Sequence, residues 1–256
     1  MGIVNVTPDS FSDGGQFGAV DAAVAHAQAL VLEGADILDI GGESTRPGAT
    51  AVNAEEEKAR VLPVIAALMR LDAAHVLSID TYKADVAHAA CKAGARIIND
   101  VWGLQRDLAM ADVAATFDAG VVIMHNRAAK DDALDIVADM EAFFERSLTL
   151  ADKAGVARGK IALDPGIGFG KSLAQNLAAI RAIPHLRARF GCAVLLGVSR
   201  KSFLGVLTGR TVDERLAATL AANAFGVQAG ADILRVHDVA AHRDAAMVLA
   251  ALAANS

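Results

Sequence analysis

The stretch Lys92-Ala93-Gly94-Ala95-Arg96-Ile97-Ile98-Asn99-Asp100 decides the fold. It reads as a helix end, a glycine, a short apolar run of strand type, and then polar residues able to do chemistry. The glycine suits a left-handed helix cap. The run is short, β-branched and apolar, as in a parallel strand buried on both faces. Outward from it the same unit recurs, with runs finishing at Asn5, Asp39, Asp80, Asn99, His125, Asp164, Ser199 and Arg235. Strands are expected at 2–6, 37–40, 76–79, 96–98, 121–124, 161–163, 194–197 and 233–236. Ala-rich helical stretches follow at 20–33, 54–71, 83–93, 109–119, 133–154, 173–183, 213–229 and 239–252. Glu33-Gly34, Ala93-Gly94, Ala119-Gly120, Ala154-Gly155 and Ala229-Gly230 repeat the capped turn. Eight strand–helix units in 256 residues predict an α/β fold, one (β/α)8 TIM barrel spanning residues 1–256. An open doubly wound sheet is the alternative, and polar residues at nearly every strand end favour closure. In a barrel those ends form one rim, where the active site sits, so distant residues converge.

Composition narrows the function. At 54% apolar and 21% charged, the chain has ample material for a core. A net charge of −6 argues against a general nucleic-acid binder, which needs a basic face, but leaves room for a small anionic ligand. The sequence shows no signal peptide, and residues 216–231, though free of charge, suit a barrel helix better than a membrane span. A cytoplasmic location is expected. Cys91 and Cys192 read as two buried thiols rather than a disulfide or metal site.

Two loops, 7–18 and 41–53, are longer than a barrel requires and are rich in Gly, Ser, Thr, Asp and Pro. On the rim they are candidate lids or clamps. In Asn5-Val6-Thr7-Pro8-Asp9-Ser10-Phe11-Ser12-Asp13, the Asn offers an amide oxygen to a hard cation and the Phe could close over a ring. Plain turn hydrogen bonds are an equal reading for Asp9 and Ser10. In Asp39-Ile40-Gly41-Gly42-Glu43-Ser44-Thr45-Arg46-Pro47, the hydroxyl and guanidinium suit phosphate or carboxylate. A structural pairing of Asp39 and Glu43 with Arg46 would explain part of this run. Asp80, Asn99 and Asp164 place carboxylates and an amide on one rim, suited to a flat heterocycle with N–H donors and ring acceptors. For Asp100 a helix N-cap or outward-facing turn residue is the stronger reading.

Asp164-Pro165-Gly166-Ile167-Gly168-Phe169-Gly170-Lys171-Ser172 approaches a phosphate loop but has three residues, not four, between Gly166 and Gly170. Its glycines better suit Phe169 wedged against a ligand. Ser199-Arg200-Lys201-Ser202 is an anion site in outline, with Arg200 the more peripheral cation. Arg235 and His237 share one side of the last strand, where many such barrels bind phosphate. His125 reads as structural.

Taken in order, these segments resemble the dihydropteroate synthase family of the folate pathway. The match runs from residue 1 to 238 and includes Ser78-Ile79-Asp80-Thr81 and Ile98-Asn99-Asp100. The resemblance implies that p-aminobenzoate attacks the methylene carbon of 6-hydroxymethyl-7,8-dihydropterin pyrophosphate, releasing pyrophosphate and forming 7,8-dihydropteroate with Mg2+ assisting. It implies Lys201, Arg235, His237 and Asp80 as catalytic residues, and Asn5 as the metal contact. Asp80, Asn99, Asp164 and Lys201 match pterin-binding positions. Phe169 and Ser202 match contacts to the aminobenzoate, and Thr45, Arg46, Pro47, Phe11 and Asp13 match the two loops that form its pocket. Arg46, Arg235 and His237 are the cations available to the pyrophosphate. A homodimer and sulfonamide competition are further implications. Family members carry a further segment ahead of strand one, which is expected to bear on stability more than on chemistry. Met124-His125-Asn126-Arg127-Ala128 departs from the commoner Met-His-Met form in a peripheral region. Two alternatives stay open: a pterin-binding barrel of the corrinoid methyltransferase type, which would not need both Ser-Arg-Lys-Ser and Arg-x-His, and an inactive paralogue, which should have lost a site residue. Lys201→Ala or Arg235→Ala is expected to abolish turnover and leave the fold intact.

Overall fold

A computed structural model describes residues 1–6, 15–44, 51–71 and 75–254, without side chains for 15–17. The strands are β1 Gly2–Asn5, β2 Ile37–Gly41, β3 Val76–Asp80, β4 Ile97–Asp100, β5 Gly120–Met124, β6 Ile161–Asp164, β7 Ala193–Leu196 and β8 Ile233–Leu234. Each pairs in parallel with the next, in the order β1 to β8. The sheet then closes on itself. Gly2 bridges Val236, the Ile3 N–H donates to the Val236 carbonyl at 3.1 Å, and the Val236 N–H donates to the Met1 carbonyl at 2.9 Å. The expected α/β barrel is therefore the fold found.

The helices are α1 Gly15–Leu32, α2 Ala54–Met69, α3 Ala84–Ala93, α4 Met110–Thr116, α5 Ile136–Ala154, α6 Leu173–Arg181, α7 Ile183–Phe190, α8 Ser202–Thr208, α9 Leu216–Gln228 and α10 Val239–Ala253. Two of these escaped the sequence reading. The helix expected over 173–183 ends early, and α7 begins anew with Pro184 in its first turn, where the missing N–H costs nothing. The α8 helix has seven residues, too few to show a period. At Ala119-Gly120 the expected glycine cap is absent: Gly120 opens β5, and Asp118 takes the left-handed conformation instead, with φ 50°. Asp tolerates that region better than most side chains. Both cysteines are buried and unpaired. Among the described residues no helix is long and apolar enough to cross a membrane.

Strand alternation builds the site's floor. Leu38, Ile40, Ile79, Ile98, Val121, Ile123, Leu163 and Val194 belong to the large core between sheet and helices. Val122, Ala162 and Leu195 form a separate small cluster with Ile97 and Ile233, which plugs the barrel lumen. Two residues further along their strands stand Met124, Asp164, Gly197, Asn99 and Arg235. Apolar filling below and polar groups above is thus one consequence of a two-residue period.

Candidate active site

Arg235, just past β8, is the hub of the barrel mouth. Its Nε donates to Asp39 Oδ2 at 2.6 Å and its Nη2 donates to Asp80 Oδ2 at 2.7 Å. Asp39 Oδ2 also accepts from Asn99 Nδ2 at 2.9 Å. The strand register explains the reach: Asp39 lies beside Ser78 and Gly41 beside Asp80, so the guanidinium spans two layers of the lumen. Asp39 and Asp80 are almost wholly buried. Burial, with Asp39 nearby, pushes the Asp80 carboxyl up to about 7, against the downward pull of Arg235. Asp39 Oδ1 and Asp80 Oδ1 are buried without a hydrogen-bond partner among the described residues. Among the described residues the partners of Asp39 are Arg235 and Asn99; Arg46, its partner in the sequence reading, lies outside them. Glu43 pairs with Lys83 and accepts from the Tyr82 hydroxyl at 2.8 Å.

Across the mouth stand Asp164 and Lys201. Asp164 Oδ1 accepts from the Gly166 N–H at 2.7 Å, and burial raises its carboxyl against the pull of Lys201. The Lys201 ammonium donates to the Ile167 carbonyl and sits 4.8 Å from the centre of the Phe169 ring. Desolvation brings this amine down to about 8, with Asp164 and Asp80 holding it up and Arg235 opposing them. Gly197 lies between these groups. A Cβ there would stand 3.8 Å from Asp164 Oδ2, 3.9 Å from Arg235 Cβ and 4.0 Å from Lys201 Nζ, so its absence keeps the floor open.

The third side comes from the segments after β7 and β8. His237 Nδ1 lies 2.9 Å from Ser199 Oγ, which also accepts from the His237 backbone N–H at 3.2 Å. Arg200 turns outward, and its Nε donates to Asp238 Oδ2 at 3.1 Å. Its φ of 57° is rare for a side-chain-bearing residue, and the Thr219 hydroxyl accepts its N–H at 3.1 Å. This turn sends the adjacent Lys201 into the mouth. Ser202 opens α8 beside it. Asp100 is buried rather than outward-facing, and its carboxylate accepts from the N–H groups of Trp102 at 2.8 Å and Leu104 at 2.7 Å, a turn role.

The structure therefore brings together Asp80, Asn99, Asp164, Lys201 and Arg235, with Phe169, Ser202 and His237 close by in the chain segments that frame them. Phe11, Asp13, Thr45, Arg46 and Pro47 lie outside the described residues. A cavity of about 510 Å3 beside the cluster shares Phe169 with it and is lined also by Glu43, Tyr82, Trp102, Arg106 and Arg127. Sequence reasoning quotes Asp39, Ser199 and Lys171 within motifs but gives none of them a site role of its own. Asp39 shares the lumen period with its neighbours, so that period was the available signal.

Among the described residues no group of three or more His, Cys, Asp or Glu is arranged to hold a metal. Asn5, half-buried at the end of β1, offers one amide oxygen. A single protein oxygen fits an ion such as Mg2+, which keeps several waters and takes phosphate oxygens from a substrate. It does not fit a dedicated protein cage.

Residues 1–237 match the family model of pterin binding enzymes. The chain is 47% identical over 239 residues to a dihydropteroate synthase from Bacillus subtilis, covering 93% of this chain and 83% of that one. A crystal structure of a Clostridium difficile dihydropteroate synthase, obtained in the presence of pteroic acid, superposes with a TM-score of 0.94 at 48% identity, covering 98% of this chain and 95% of the other. The Xanthomonas albilineans dihydropteroate synthase in complex with 7,8-dihydropteroate superposes with a TM-score of 0.90 at 47% identity, covering 99% and 93%.

Proposed function

This chain belongs to the dihydropteroate synthase family of pterin-binding enzymes, transferases of folate biosynthesis, and from that premise we propose how its barrel mouth joins a dihydropterin diphosphate to p-aminobenzoate. The observation that carries the proposal is the convergence of Arg235, Asp80, Asn99, Asp164 and Lys201 on one small volume. Asp80 and Asp164 accept from the pterin's ring and amino N–H groups, and Asn99 and Lys201 donate to its ring acceptors. Heterocycle and carboxylates are then matched donor to acceptor in a site shielded from water, where each bond counts most.

The amine nitrogen of p-aminobenzoate bonds to the methylene carbon as the carbon–oxygen bond to the diphosphate breaks. The amine loses a proton and the leaving group takes the bonding pair. The electron-rich pterin spreads the charge that develops on carbon. The protein's part is therefore to orient both partners and to hold the departing anion. Arg235 and His237, with Arg46, supply cationic and N–H contacts for it, and Arg235 stays protonated because Asp39 and Asp80 face it. Mg2+, held by Asn5 and the substrate's own oxygens, would add charge neutralisation at the diphosphate. Ser202, at the start of α8, receives the aminobenzoate carboxylate, with Phe169 against its ring and residues 11, 13 and 45–47 closing the pocket. The methyltransferase alternative is set aside, since Ser199-Arg200-Lys201-Ser202 and Arg235-Val236-His237 are both intact. A sulfonamide should raise the apparent KM for p-aminobenzoate and leave the maximal rate unchanged in steady-state assays. Inhibition that excess aminobenzoate does not relieve would contradict the pocket.

Residues 1–256 act as one domain in this reading, in the cytoplasm, as a homodimer. Support for the dimer comes from exposed apolar side chains on neighbouring outer helices: Val206 on α8, Phe225 on α9, and Met247, Val248 and Leu252 on α10. Such a collection marks a protein contact surface more often than free solvent. Met247→Arg should shift the protein from dimer to monomer in sedimentation velocity, and an unchanged dimer would place the contact elsewhere.

A further inference from the structure

Lys171 ends a run that looks like a phosphate loop, yet its ammonium faces inward. The side chain is 5% exposed. Nζ donates to the Gly166 carbonyl at 2.8 Å and the Phe169 carbonyl at 3.2 Å, and it lies 2.8 Å from His125 Nδ1. The His125 carbonyl stands a further 3.4 Å away, so the three N–H donors of an ammonium are all engaged inside the protein. His125 Nε2 in turn lies 3.0 Å from Asp139 Oδ2, which also takes Arg127 Nη1 at 2.9 Å. With Nδ1 as acceptor, the imidazole carries its proton on Nε2 and donates to Asp139. Ser172 is also occupied: its hydroxyl accepts from the Gln175 N–H in a capping box at the start of α6. Neither group is aimed at an external phosphate.

The carbonyls that Lys171 binds belong to the loop that shapes the catalytic mouth. Between them lies Ile167, whose carbonyl receives Lys201, and beside them Phe169, whose ring lies under the Lys201 ammonium. The loop is seated hard against the end of β5. Gly166 and Gly170 have φ of 64° and 58°, and a Cβ on either would come within 1.8 Å of the His125 carbonyl oxygen or 2.5 Å of Arg127 Cβ. Its own bonds are few: the Gly168 N–H donates to Asn176 Oδ1 at 2.7 Å and the Phe169 N–H to the Gly166 carbonyl at 3.2 Å.

We propose that Lys171 is a positioning residue for the transfer reaction: from beneath the β6–α6 loop it fixes the carbonyls of Gly166 and Phe169, and through them the ring and carbonyl that orient Lys201. This rests on the role of Lys201 and Phe169 in the function proposed above. The Lys171 ammonium is bound within its own loop and to His125, and its effect travels through that loop. Displacing reacting groups by about an ångström costs on the order of 100-fold in rate, so loosening this loop is expressed in catalysis before it is expressed in folding.

The test is Lys171→Met, which keeps the stem and removes the three donors. Wild type and variant are compared at equal folded concentration, with hydrogen exchange of the ligand-free proteins and steady-state kinetics side by side. The amides of Gly166, Gly168 and Phe169 should exchange at least about tenfold faster in the variant, and kcat/KM for p-aminobenzoate should fall at least about tenfold, with exchange in β1–β5 unchanged. A purely structural role would leave the kinetics of the folded fraction at wild-type values, and that result, with unchanged loop exchange, overturns the proposal. Exchange is read without substrate, so the brace stands or falls separately even if the wild type forms no dihydropteroate. Lys171→Gln, which retains a donor, is the variant to use if methionine prevents folding, with the same expectations. If neither folds, the wild type decides: those three amides must exchange as slowly as the amides of β6, and rates of an unstructured loop refute the brace.

Discussion

Replacing Lys201 by alanine is expected to lower kcat/KM by about 100- to 1,000-fold, short of the abolition expected from sequence and the usual cost of removing one preorganised charge or donor from a transfer site. The fold should survive. Lys201 is half-buried, and its removal leaves the Ile167 carbonyl beside a mouth that water can enter. The substitution removes a cation from between Asp164, Asp80 and Arg235. Asp164 then loses the first of the charges that hold its carboxyl down, so that carboxyl rises further above the ordinary range. A protonated Asp164 no longer offers two acceptors to a heterocycle. The wild type should also show an alkaline limb in kcat/KM near pH 8, where free Lys201 loses its proton. The residual activity of Lys201→Ala should lack that limb. Near-wild-type turnover in the variant would remove Lys201 from the site.

Arg235→Ala should cost both activity and stability. The expectation from sequence that the fold stays intact changes once Arg235 is seen between Asp39 and Asp80. Removing one member of a buried ionic cluster typically destabilises by about 3–5 kcal/mol, because the partners keep their desolvation cost. The loss should depend on pH in a defined direction. The Asp80 carboxyl already sits at about 7 in the folded protein, above its ordinary 3.8. A group raised on folding holds its proton longer in the native state, so its contribution to stability falls as pH rises through that window. Without Arg235 the carboxyl rises further still. The variant's deficit from Asp80 should therefore be small up to about pH 7 and grow above it, as read by urea unfolding from about pH 5 to about pH 9. A deficit independent of pH would mean lost packing rather than stranded charge. Turnover should drop below detection at every pH, because the diphosphate loses its principal guanidinium.

The barrel was legible because its signal is repeated. Each strand is short, apolar and closed by a polar residue, and no single unit had to be read correctly for the period to emerge. The same period set Asp80, Asn99, Asp164 and Arg235 on one face, and the structure places them together. What escaped the reading was carried by single long-range contacts. Nothing local links Asp39 to Arg235, 196 positions away. Nor does the sequence around Lys171 indicate that its ammonium turns back into its own loop, since the flanking glycines point to Phe169 wedged against a ligand and leave the lysine without a role. The helices α7 and α8 were missed for a different reason: at eight and seven residues they are too short to establish an amphipathic face.

The most direct measurement follows dihydropteroate by chromatography and pyrophosphate release together, from the dihydropterin diphosphate and Mg2+, with and without p-aminobenzoate. Dihydropteroate formed only with p-aminobenzoate, and in step with the pyrophosphate released, is the predicted result. Pyrophosphate release that ignores p-aminobenzoate, or no product from a folded protein that binds the pterin, would contradict it.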